Sequence, residues 1–273
     1  MQRTLVETRS GRLRLTAKDS ESADRALEVA RDAIESGRVA IGWVPWGEKR
    51  AYLKATPLRG NAALRHTLRM AILRLPAPRE REFRNLRWLA KHGIRAVTPL
   101  AAGVLCRHGW ARYQFLLTEE LLGARPLDAF LLQASPKERA QALDALAGSI
   151  ARMHWLGFIH HDLYPRNILV RTGEVHFVDA WRGGPPPQLR GPAYDIGCLM
   201  LQGAELLSID EQRTWFETYF EERRLERKEA LLLLEDSRRY RDLFRAKLLR
   251  KPNERRGRPV PQEEWRVASL APR

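Results

Sequence analysis

Cysteine is scarce in this sequence, with two in 273 residues, Cys106 and Cys198. They stand far apart in apolar surroundings, as reduced core thiols of a cytosolic protein do, and leave a single disulfide as the remote alternative. No run of about eighteen apolar residues occurs, so no segment is expected to span a membrane. The opening "MQRTLVETRSGRLRL" has no apolar stretch of the kind a secretion signal carries. Acidic residues are in deficit, 33 against 48 lysines and arginines, a formal charge of +15. There is no internal repeat. The chain suits one large domain or two small lobes, and it is long enough to bury a core without disulfides.

Most of the cationic surplus is arginine, whose planar fork grips phosphate or carboxylate at two points. That balance favours polyanions: nucleic acid, anionic lipid or phosphorylated glycan. A solvated cationic surface explains it equally well.

Residues 21–36 place Ala26, Leu27, Ala30, Ala33 and Ile34 on one helical face. The strand-like runs "RVAIGWV" and "RAYLKA" follow, joined through a Pro-Trp-Gly turn. A basic stretch from Leu58 to Leu75 mixes arginines with apolar residues and stops at "LPAP". The helix "EREFRNLRWLAKHG" ends on Gly93, and two further strand-prone runs lead to Leu121. Residues 137–157 make the longest amphipathic helix, again closed by a glycine, and helices are expected over 193–207, 209–225 and 226–250. The tail after Lys251 is expected to be loosely held. The strand-rich first part and helical second part predict an α+β, bilobal chain. A small mixed N-lobe with an N-terminal extension covers 1–121, a mainly helical C-lobe 122–250 and a basic tail 251–273.

The stretch "FIHHDLYPRNILV" brackets a polar cluster with apolar residues. Its spacing, His160-His161-Asp162-Leu163 with Asn167, fits H-x-D-L-x-x-x-N, the catalytic loop of the protein-kinase fold. Phosphoryl transfer needs a carboxylate to receive the attacking hydroxyl's proton and a nearby oxygen ligand for the magnesium on the phosphates. A polar turn, or a His-His-Asp metal cluster, is the competing reading. The surroundings decide. "VHFVDAW" puts Asp179 at a strand end, "AYLK" puts Lys54 in an alternating strand, and Glu82 opens the next helix. Asp195 in "AYDIGCLM" resembles the buried acid that anchors such a loop.

These segments together resemble the bacterial lipopolysaccharide-core kinases, the heptose and 3-deoxy-D-manno-octulosonic acid kinases. The likeness rests on H-H-D-L-Y in place of H-R-D-L-K, on "EFRNLRWLAKHGIRAVTPL", and on "QFLLTEEL" as the segment facing adenine. It implies Asp162 as catalytic base and Asn167 and Asp179 as Mg²⁺ ligands. It further implies ATP as donor, with Lys54 on its α- and β-phosphates, Glu82 as partner of Lys54, and the backbone of Glu119, Glu120 and Leu121 on the base. His160 would hydrogen-bond within the loop and Asp195 anchor it.

Three departures matter. No G-x-G-x-x-G precedes Lys54, so phosphate contacts fall to Lys54, the metal and a different turn. "DAW" stands for D-F-G, with Trp181 where the hinge glycine would be. Only "AWRGGPPPQLRGPAY" separates Asp179 from Asp195, with no A-P-E and no serine or threonine. So short a segment offers neither a Ser/Thr phosphorylation switch nor an easy peptide platform. Arg166, Arg182 and Arg190 instead are expected to pair with phosphate or carboxylate groups of an anionic glycolipid acceptor.

The leading expectation is an Mg-ATP-dependent phosphotransferase acting on a sugar hydroxyl of the lipopolysaccharide inner core, cytoplasmic and peripheral on an anionic membrane surface. The alternatives are a kinase with a protein or other small-molecule acceptor, and a non-catalytic scaffold binding nucleic acid. Lys54, Asp162, Asn167 and Asp179 together argue against the scaffold, and the lack of interleaved aromatics argues against nucleic acid.

Overall fold

The structure, a computed structural model, describes residues 2–250, 265 and 267–270. It divides into two compact units, residues 1–92 with 96–122 and residues 93–95 with 123–273.

The first unit is one six-stranded antiparallel sheet with helices on both faces. Its strands are β1 (Gln2–Thr8), β2 (Gly11–Ala17), β3 (Ala40–Trp46), β4 (Lys49–Pro57), β5 (Pro99–Arg107) and β6 (Trp110–Glu119), in the order β1-β2-β5-β6-β4-β3. Alternation along β2 and β4 sends Leu13, Leu15, Ala17, Ala51, Leu53 and Ala55 to one face. There they bury the Ala26, Ala30, Ala33 and Ile34 stripe of α1 (Ser20–Ser36). On the other face lie α2 (Gly60–Ala71) and α3 (Pro78–Lys91), the latter through Phe83 against Ala102 and Leu116. The sequence reading assigned no element to β1 and β2. Its signal was present, since Leu13, Leu15 and Ala17 alternate with Arg12, Arg14 and Thr16.

The second unit is mainly helical: α4 (Leu127–Leu131), α5 (Pro136–Trp155), α6 (Pro192–Leu206), α7 (Ile209–Arg223) and α8 (Arg227–Arg250). In a small sheet of β7 (Arg125–Pro126), β8 (Ile168–Arg171) and β9 (Glu174–Phe177), the polar cluster leads into the central strand β8. Ser135 and Glu138 start α5 with a reciprocal cap, and Leu143, Leu146, Ile150 and Met153 form its buried stripe. Arg139 ties α5 to α7 with two hydrogen bonds to Glu211, at 2.7 and 2.8 Å. Of the tail, residues 251–264, 266 and 271–273 lie outside the described residues. The described part is not loosely held: Trp265 is buried, donates Nε1–H to Gln212 at 2.9 Å and packs near Phe216.

The helices α6 and α8 meet at Gly197. A Cβ there would stand 2.7 Å from Tyr240 Cβ and 3.0 Å from Ser237 O, closer than atoms pack. Gly197→Ala should therefore lower stability by about 1–3 kcal/mol through overpacking, measured by urea unfolding. An unchanged midpoint would show that the two helices can separate freely.

Candidate active site

In the first unit, Lys54 lies on the β4 face opposite the α1 core, and α3 brings a buried Glu82 to it. Lys54 Nζ donates to Glu82 Oε1 at 2.8 Å, while Arg79 Nη1 donates to Oε2 at 2.6 Å. At 1 % exposure this carboxylate needs both cations, because an unpaired buried charge is costly. Glu80 instead takes one guanidinium on both oxygens, that of Arg14 of β2, at 2.7 and 2.6 Å. Two successive acids on one helix thus fix α3 against β4 and β2. The Lys54–Glu82 pair is the one expected from the sequence; Arg79 joins it from three residues before Glu82.

Glu119, Glu120 and Leu121 leave the end of β6. The N–H of Glu119 donates to Thr98 O at 2.8 Å and that of Glu120 to Arg50 O at 3.2 Å. Their carboxylates hold Lys49 Nζ at 2.8 Å and Arg50 Nε at 2.8 Å. Both N–H groups are therefore committed to the sheet. Leu121 N–H donates to no protein acceptor among the described residues. The turn between β3 and β4 carries Gly47 alone, at φ 63°, and no glycine-rich loop.

In the second unit, Gly157 (φ 75°) closes α5 and the chain turns through residues 158–167. Asp195, in the first turn of α6, is fully buried beneath that turn. Its Oδ2 accepts His160 N–H at 2.6 Å and its Oδ1 accepts His161 N–H at 2.7 Å. His161 stands at φ 60°, the left-handed region in which successive N–H groups converge on one anion. His154, which the sequence reading did not single out, adds Nε2–H at 3.3 Å and accepts from Tyr219 Oη at 2.8 Å on Nδ1. Burial works to raise the Asp195 pKa, but hydrogen bonds from His154 and His160 outweigh it and hold the group below the usual carboxylate range.

His160 Nε2–H donates to Val178 O at 3.0 Å, and Val178 N–H donates to Asn167 O at 3.1 Å. Both peptide groups of Val178 are thereby pinned, and Asp179 follows at φ 63°, a strained conformation for a non-glycine residue. Asn167 Nδ2 donates to Asp162 O at 2.8 Å. Burial raises the Asp162 pKa above its usual range, opposed by His160, Arg182 and Arg166 and assisted by Asp179. With its amide nitrogen engaged, Asn167 presents Oδ1, and Asp179 presents a carboxylate. These are hard oxygen donors that fit Mg²⁺. No group of three or more His, Cys, Asp or Glu side chains able to hold a metal occurs among the described residues. The pair suits an ion that takes its other ligands from phosphate and water.

A cavity of about 480 Å³ opens beside Asp162. Arg166, Arg182 and Arg190 all line it, and each lies over a ring. Arg166 is 4.2 Å from Tyr164, Arg182 4.7 Å from Trp181 and Arg190 4.4 Å from Tyr194. Stacking orients each guanidinium plane, and Arg166 Nη2 also stands 3.9 Å from Asp162 Oδ1. The far wall is α8, with Tyr240, Phe244 and Lys247. Nothing in the sequence of α8 marked these three, because only the packing of α6 on α8 brings them here.

The sequence model of the Lipopolysaccharide kinase (Kdo/WaaP) family matches residues 52–184, from Lys54 through Glu82, Asp162 and Asn167 to Asp179. The matched stretch, just under half of the chain, is similar to the kinase core of that family. Its class of activity, phosphoryl transfer to an alcohol group, follows from that match. A solved structure described as WaaP in complex with acyl carrier protein covers 84% of this chain and 99% of its own, at 19% identity and TM-score 0.57. The fold is accordingly protein-kinase-like. A streptomycin–ATP–APH(2″)-IIa ternary complex is more distant, at 10% identity and TM-score 0.45 over 93% of this chain and 99% of its own. No curated protein matches the sequence.

Burial holds His154, His66 and His176 below their ordinary pKa. The folded chain then binds fewer protons than the unfolded one, so this stability is full above the unfolded value of 6.5 and falls as pH drops below it. Urea unfolding followed from roughly pH 8 to pH 5 should show that decline, with a shallower slope in His154→Gln. Equal slopes would mean that His154 titrates alike folded and unfolded.

Proposed function

We propose that this kinase transfers the γ-phosphoryl group of Mg·ATP to a sugar hydroxyl of the lipopolysaccharide inner core. The observation that carries the reading is Asp162 at the mouth of a cavity lined by three ring-stacked arginines. Asp162 orients the attacking hydroxyl and accepts its proton. The hydroxyl oxygen bonds to the γ-phosphorus as the bridging oxygen departs with ADP. Lys54, held by Glu82, binds the α- and β-phosphates, and Leu121 N–H meets the base. Asn167 and Asp179 would hold Mg²⁺, which would supply neutralisation of the phosphate charge. Arg166, Arg182, Arg190 and Lys247 grip anionic substituents of the acceptor, with Arg–phosphate pairs of the bidentate kind.

A protein acceptor is disfavoured by the segment 180–194, which is short and proline-rich, with Gly183 flat against the backbone of Ile159 and His160. Among the described residues no helix is long and apolar enough to cross a membrane. The reading places the enzyme on the cytoplasmic side, where its acceptor would be met from the aqueous phase.

Labelled γ-phosphate from Mg·ATP should enter purified, dephosphorylated core lipopolysaccharide, and Asp162→Ala should reduce the rate by about 10³-fold. Arg182→Ala and Arg190→Ala should raise the KM for the glycolipid with little change in kcat. The acid limb of the kcat/KM profile should lie above the ordinary aspartate range, since protonated Asp162 cannot take the proton. Wild-type turnover in Asp162→Ala, or label entering only protein, would sink the assignment.

A further inference from the structure

The helix α2 is attached to the first unit by a narrow inner stripe. Ala63 and Met70 pack against Leu58, Val104 and Ala111, and Thr67 Oγ1 accepts Ala111 N–H at 2.9 Å. Its outer face is apolar. Leu64, Leu68 and Ile72 follow one another at i, i+4 and i+8, with exposures of 42, 46 and 70 %, and Leu73 beside them is 61 % exposed. An amphipathic helix in a water-soluble body turns such a stripe inward. Here a second apolar stripe is turned to solvent, and neighbouring exposed apolar side chains of this kind mark interaction surfaces.

Charge identifies the occupant. The helix has no acidic residue, and Arg65 and Arg69 flank the stripe. Arg69 also crowds Arg81 and, with Arg65, His66, an accumulation of like charge without a carboxylate to relieve it. At the C-terminal end of α2 a cavity of about 240 Å³ is lined by Arg3, Arg14, Arg74 and Arg84 against the single acid Glu80. Arg14 occupies that acid on both oxygens. Arg3, Arg65, Arg69, Arg74 and Arg84 make no ion pair among the described residues. A second copy docked face to face would set these arginines against themselves. A surface that is apolar below and anionic above satisfies both features together.

We propose that this face of the first unit docks on an anionic lipid bilayer. Leu64, Leu68, Ile72 and Leu73 enter the acyl boundary, Arg65 and Arg69 sit at the level of the lipid phosphates, and the cavity at Arg74 and Arg84 receives one phosphate. The surface is separate from every residue assigned to phosphoryl transfer, so the inference stands or falls independently of the acceptor.

The test is sedimentation of the full chain with phosphatidylcholine vesicles, with and without phosphatidylglycerol. The expected result is binding only with phosphatidylglycerol, weakening as ionic strength rises. The triple variant Leu64→Ser, Leu68→Ser, Ile72→Ser should bind on the order of tenfold more weakly at unchanged unfolding temperature and unchanged ATP binding. The pair Arg65→Gln, Arg69→Gln should lose affinity and salt dependence together, which keeps the test valid should the triple variant fail to fold. Wild-type protein that ignores phosphatidylglycerol, or variants that bind as wild type does, would overturn the proposal. A concentration-dependent dimer in solution that the triple variant abolishes would reassign the face to self-association.

Discussion

The active-site loop of the second unit hangs from one buried carboxylate. Asp195 receives two successive backbone N–H groups and one imidazole. Charge-assisted bonds of this kind contribute about 1.5–3 kcal/mol each, and they must offset a desolvation cost of several kcal/mol. The consequence is geometric. Once the peptides of His160 and His161 are fixed, the His160 ring fixes Val178, Val178 fixes Asn167, and Asn167 holds the backbone of Asp162. The candidate residues Asp162, Asn167 and Asp179 are thereby tied into a chain of hydrogen bonds that begins on a helix outside the loop.

The first unit solves a similar problem with side chains alone. Lys54 stands on a strand and needs a counter-ion that cannot wander. The helix α3 supplies it because Glu80 and Glu82 each reach a different strand, through Arg14 and Lys54, while Phe83 packs beneath them. Three attachments define the angle of a helix on a sheet, whereas one salt bridge would leave it free to pivot. Arg79 completes the arrangement by taking the second oxygen of Glu82.

The excess of arginine is distributed with physical consequences. Some guanidinium groups are consumed in buried pairs, as Arg14 and Arg139 are. Others are stacked on rings beside Asp162, where orientation matters more than neutralisation. A third set around α2 faces like charge, which the proposed docking on an anionic surface would relieve. Net charge alone distinguishes none of these uses.

The polar turn of residues 158–167 and the Lys54–Glu82 pair were legible in the sequence because they follow particular residue types at short, rigid spacings. Asp195 was legible for the same reason, and the helices of the second unit because their apolar periodicity spans many turns. β1 and β2 were overlooked although period-2 alternation was there, since short strands carry few repeats of it. The tertiary structure alone decided the rest. His154 and the α8 wall of Tyr240, Phe244 and Lys247 act on the site across long sequence separations, so no local spacing encodes them. The outward stripe of α2 is the clearest case. Its sequence specifies an amphipathic helix, but which of its faces meets the protein is settled only where Ala63, Thr67 and Met70 find the sheet.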